Sequence, residues 1–130
     1  MAERNLGMGF KRGEMMDGYE LMNELNDLCA KLSVSGKSMA KYGRELAEAE
    51  RDYKIKLRQE ALKLRSEEKM AVTLINQIVY GIPEVAELRF KRDVAETMYK
   101  VSQESINTLK LKIRVLDAQI QREWGSANNG

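Results

Sequence analysis

Ala95, Tyr99, Ser102, Ile106, Leu109, Ile113, Leu116 and Ile120 follow one another at alternating steps of four and three residues. This spacing constrains the chain more than any other feature. A helix turns once in about 3.6 residues, so a 4-3 alternation keeps every one of these side chains on one face. Sustained over more than three heptads, it is the mark of a coiled coil or long helical hairpin. The spacing predicts a helix over 83–124, with a seam at Tyr99, Ile106, Leu109, Ile113, Leu116 and Ile120 that another helix must cover. Pro83 suits a first helical turn, and Glu84 and Glu87 favour its positive end.

A partner helix lies upstream. Tyr19, Leu21, Met22, Leu25, Leu28, Cys29 and Leu32 recur at helical spacing, which predicts a helix over 18–34 with Asp17 as its N-cap. The pattern falters at SVSGKS, residues 33–38, where Ser and Gly36 favour a break or kink. It resumes at Met39, Tyr42, Leu46, Ala49, Tyr53, Leu57, Ala61 and Leu64, predicting a helix over 38–69. Between the long segments lies AVTLINQIVYGIP, residues 71–83, with no charged side chain. Two long helices joined by a short connection run antiparallel. This uncharged island is therefore the turn at the hairpin tip: a short helix over 73–80 capped by Thr73, with Gly81 in a left-handed position and Ile82 extended before Pro83. Leu74, Ile75, Ile78, Val79 and Ile82 either plug the open end of the hairpin or, in part, stay exposed and dock on a partner.

The expected fold is all-α: a long antiparallel, coiled-coil-like helical hairpin with an additional N-terminal helix. Residues 1–16 read as a flexible arm, because Gly7, Gly9 and Gly13 crowd it. Residues 17–124 form one helical domain, and 125–130, opened by Gly125, form a disordered polar tail. A two- or three-helix chain of 130 residues has little core for its surface, and two helices leave seam to cover, so a homo-oligomer (a dimer or higher) is expected.

Composition removes most chemistry. The chain has no His and one Cys, which takes away the commonest general base, the commonest transition-metal ligand and any internal disulfide. Neither a catalytic triad nor a Cys–His pair can be built, so no catalytic residue, metal site or cofactor is assigned and the chain reads as a non-enzyme. Glu67 and Glu68 are the only adjacent acidic pair. SVSGKS ends like a phosphate-binding loop, but the signature wants a Gly at position 31, where Lys31 stands. No apolar run approaches the ~20 residues of a membrane span, and MAERNLGMGFKRGEMMDG lacks the apolar core of a signal peptide. A cytoplasmic setting and no membrane partner are expected. Met22, Met39 and Met98 read as core filling and the other methionines as material for adaptable interfaces.

Net charge is only +2, yet basic residues concentrate beside the tip. Arg51, Lys54, Arg58, Lys63, Arg65 and Lys69 lead into it; Arg89 and Arg92 lead out. Arg51, Lys54, Arg58, Arg65 and Lys69 lie near one stripe, which could track a phosphate backbone in a salt-sensitive way. The competing reading is a solvated face laced with ion pairs, because Asp52, Glu60, Glu84, Glu87, Asp93 and Glu96 share the region.

VTLINQIVYG, ELRFKRDVAETMYK and INTLKLKIRVLDAQIQREW, taken as a set, resemble small helical proteins of phages and prophages of Gram-positive bacteria. The resemblance spans roughly residues 40–125 and leaves out 1–35. It implies an accessory role among phage recombination and replication genes, near single-strand annealing and single-strand binding proteins, and carries over no active site. The expected function is thus a non-enzymatic accessory protein of DNA recombination or replication that binds a protein partner and possibly DNA. The alternative is a structural or inhibitory protein–protein module, a scaffold or an inhibitor of a host enzyme, with no DNA affinity.

Overall fold

The computed structural model describes residues 18–129, with side chains described to Gly125. The described residues are helical and contain no strand: α1 spans Gly18–Ser66, α2 Val72–Ile78, a 3₁₀ turn Val79–Gly81, and α3 Pro83–Asn129. The arm expected at 1–16 and the cap expected at Asp17 lie outside the described residues.

Three boundaries differ from expectation. α1 is a single helix through residues 33–38, where a break was expected, so the separate N-terminal helix is its first part. One Gly costs a helix about 1 kcal/mol, and half-buried Leu32, Ser35, Ser38 and Met39 on either side of Gly36 hold the helical face together across it. Thr73 is not a cap: the N-cap of α2 is Ala71, in extended geometry and without a side-chain bond. Gly125 does not end α3, which continues to Asn129. No Pro follows to block the next turn.

The reversal after α1 is made by Lys69, not Gly81. Among the described residues Lys69 is the non-glycine residue with a left-handed backbone (φ 52), and Gly81 has no such angle. The Met70 amide then donates to the Leu64 carbonyl at 3.2 Å, and Arg65 Nη1 donates to the Met70 carbonyl at 3.0 Å. The first bond satisfies a carbonyl at the end of α1 that would otherwise lack a partner, and the second a carbonyl of the turn itself. At the other side of the turn Ile82 is extended (φ −64, ψ 127), Pro83 opens α3, and the Ala86 amide donates to the Ile82 carbonyl at 2.8 Å. There the Pro rule holds as read from the sequence.

Two compact units divide the chain. Among the described residues, one combines 18–34 with 106–129. Its core is aliphatic: buried Leu21 and Leu28 of α1 cluster with Leu116 and Ile120 of α3, flanked by Leu25, Leu109 and Ile113. The other unit, Ser35–Ser105, is a helical hairpin closed by α2 and the 3₁₀ turn. Its interior is more mixed. Ala49, Tyr53, Ile75, Val79 and Val85 are buried. Tyr99 of α3 comes so close to Gly43 of α1 that a Cβ there would stand 3.2 Å from the ring. Arg92 of α3 lies over the Tyr53 ring of α1, 4.9 Å from its centre. Lys56 and Glu60, both half-buried on α1, pair at 3.0 Å.

Candidate functional site

In the hairpin Ser35–Ser105, α1 turns Ala49 and Tyr53 inward. The opposite side of the same helix carries Arg51, Lys54, Arg58 and Arg65, all exposed and within about 60° of arc at 100° per residue. Four arginines, Arg44, Arg51, Arg58 and Arg65, stand seven residues apart, and exposed Ile55 and Leu62 fall between them. This face is a heptad ladder of arginines, with exposed Glu48 between the first two and Ile55 and Leu62 between the rest.

The other candidate basic residues lie off this face, Lys69 being the one among them that the sequence spacing had put in the stripe. Lys63 is exposed but points about 120° away from Arg51. Lys69 lies beyond the end of α1, in the turn. Arg89 sits on the Tyr80 ring, 5.3 Å from its centre. Arg92 is half-buried against Tyr53 and donates through Nε to Asp93 at 2.8 Å. That bond, with the nearby charges of Asp93, Tyr53 and Glu50, raises its pKa further despite some desolvation, so it stays a cation committed to the fold. Within the stripe, Arg51 pairs with Asp52 at 3.0 Å and Lys54 with Glu50 at 3.1 Å. Exposed pairs of this kind are worth at most about 1 kcal/mol and exchange readily for a phosphate. Among the described residues Arg58 has no ion pair.

The tip residues divide by face. Ile75 and Val79 are buried, Ile82 is half-buried, and Leu74 and Ile78 are exposed together with Val72 and Tyr80. Plug and exposed patch are thus two sides of one short helix. The seam residues turn inward: Ile106, Leu116 and Ile120 are buried, and Tyr99, Leu109 and Ile113 half-buried. Met39 is half-buried, but Met22 and Met98 are exposed rather than core. SVSGKS lies inside α1, not in a loop, so its amides are used by the helix.

A further face was missed in the sequence. Phe90, Val94 and Val101 of α3 are all exposed, Phe90 by 64%. With Thr97 they repeat the 4-3 spacing of the inner seam, two positions later in the chain. In the other unit Leu111 and Val115 are likewise exposed. The signal was available: Phe90, Val94, Thr97, Val101, Glu104, Thr108, Leu111, Val115 and Ala118 alternate by four and three. The stronger inner repeat hid it.

Among the described residues, no three His, Cys, Asp or Glu side chains gather in a metal-binding group, and no helix is long and apolar enough to cross a membrane. Free Cys29 is exposed. No protein-family model, curated protein or solved structure matches the chain.

Proposed function

We propose that this chain is a non-enzymatic accessory protein of phage DNA recombination or replication, and that it works by binding through the outward faces of its helices. The observation that carries the DNA part is the ladder on α1: Arg51, Lys54, Arg58 and Arg65 share one exposed face. Guanidinium groups about 10.5 Å apart along a helix offer repeated bidentate phosphate contacts without reading base identity. The face carries no aromatic side chain, so base stacking contributes little. The resemblance of 40–125 to phage proteins supports the setting.

Fluorescence anisotropy of labelled single-stranded and duplex oligonucleotides tests the reading. Arg58→Glu with Arg65→Glu is expected to weaken binding at moderate salt by more than tenfold while circular dichroism stays unchanged. Unchanged binding would sink the phosphate role.

A second reading, a scaffold or inhibitory protein module with no DNA affinity, is favoured by the apolar tip face at Leu74 and Ile78 and by the ion pairs within the stripe. There Ile78→Asp, not the arginine variant, would abolish capture of the partner.

A further inference from the structure

The outward face of α3 between residues 90 and 101 is self-complementary, and we propose that it pairs two copies of this chain antiparallel about a two-fold axis. The inference is independent of DNA binding.

Place the axis against α3 between Ala95 and Glu96. Along the strip, residue i of one copy then faces residue 191 − i of the other, by the arithmetic of a two-fold axis. Phe90 meets the second copy's Val101, and Val94 meets its Thr97. Each contact occurs twice, as an isologous interface requires. The apolar side chains are exposed in one chain. Thr97 brings no unsatisfied hydroxyl, because its Oγ1 already donates to the Asp93 carbonyl at 3.0 Å. Only its methyl group needs covering.

Charge selects this partner and this direction. Asp93 and Lys100 border the apolar strip along one edge. In an antiparallel pair the like edges of the two copies meet, so each Asp93 comes beside Lys100 of the second copy, offset by two residues or about 3 Å along the axis, giving two opposite-charge pairs. In a parallel pair Asp93 would face Met98, and Lys100 would face Ser105, with no pairing. Lys100 gives up only an exposed 3.5 Å contact with Glu96, and Asp93 can keep Arg92 while accepting a second donor. The strip is short because Glu87 and Glu104, one step beyond at either end, would face each other across the axis. Like charges there end the favourable contact. So small an area falls below the ~800 Å² per partner of a standard interface, and the dimer should dissociate at about micromolar concentration or above.

Sedimentation velocity of the full chain from about 1 to 200 μM tests this across the affinity range of weak interfaces. The wild type should shift reversibly from monomer to dimer. Val94→Asp should leave monomer throughout, with helical content retained. Lys100→Asp alone places two Asp pairs in the interface and should weaken association about tenfold. Asp93→Lys combined with Lys100→Asp restores opposite charges and should return affinity to within about threefold of wild type. A wild type monomeric at every concentration would overturn the proposal. So would a dimer indifferent to Val94→Asp, or a charge swap that fails to rescue.

Discussion

Leu116 and Val115 are neighbours on α3, yet one is 8% and the other 60% exposed. They belong to two seams with the same 4-3 spacing on opposite sides of one helix. The inner seam includes Val85, Ile106, Leu116 and Ile120, all buried. The outer seam includes Phe90, Val94, Val101, Leu111 and Val115, all exposed. Residue type and period are alike; the difference is that one side is covered, at Leu116 and Ile120 by Leu21 and Leu28 of α1. A heptad repeat therefore specifies a face that wants a helix, not whether the chain itself provides one.

The largest contrast should be in stability. Leu116→Ala removes methyl groups from the cluster with Leu21, Leu28 and Ile120 and is expected to cost about 2–4 kcal/mol. Val115→Ala should stay within about 0.5 kcal/mol. Urea unfolding of both variants checks this, and similar losses would mean that the outer seam is covered in solution.

Two glycines on α1 sharpen the comparison at about a quarter of that size. At Gly36 an added Cβ meets nothing within 4 Å, so Gly36→Ala should gain about 0.5–1 kcal/mol of helix propensity. Gly43 faces Tyr99, whose ring must move to admit a Cβ. Gly43→Ala should forfeit that gain. Thermal denaturation showing equal gains would contradict the close contact in the hairpin interior. An effect of similar size concerns the turn that brings the inner seam to α1. Lys69→Gly relieves a left-handed lysine and should stabilise by about 0.5–1 kcal/mol, read in the same melts.

Much of this was legible in the residues. The inner seam, the hairpin and the role of Pro83 follow from period and from local backbone sterics. Gly36, Thr73 and Gly125 misled because propensity is local and weak, while packing along a 49-residue helix is collective. The left-handed Lys69 has no signature, since its conformation is imposed by closing the turn. Among the basic residues, spacing placed Arg51, Lys54, Arg58 and Arg65 on one face of α1, but it also put Lys69 in that stripe, and Lys69 lies in the turn beyond the helix. Arg89 and Arg92 were drawn away by Tyr80 and Tyr53, aromatic partners distant enough in sequence or fold that spacing on one helix could not reveal them.

The arginine ladder on α1 is the outer face with the clearest chemistry, and its salt response is the most direct measurement. The affinity of the full chain for a single-stranded oligonucleotide, titrated by anisotropy at several salt concentrations, should fall with log–log slope about −3, as expected when about four phosphates are neutralised. No binding at low salt, or a slope near zero, would contradict the phosphate role and leave the apolar faces as the working surface.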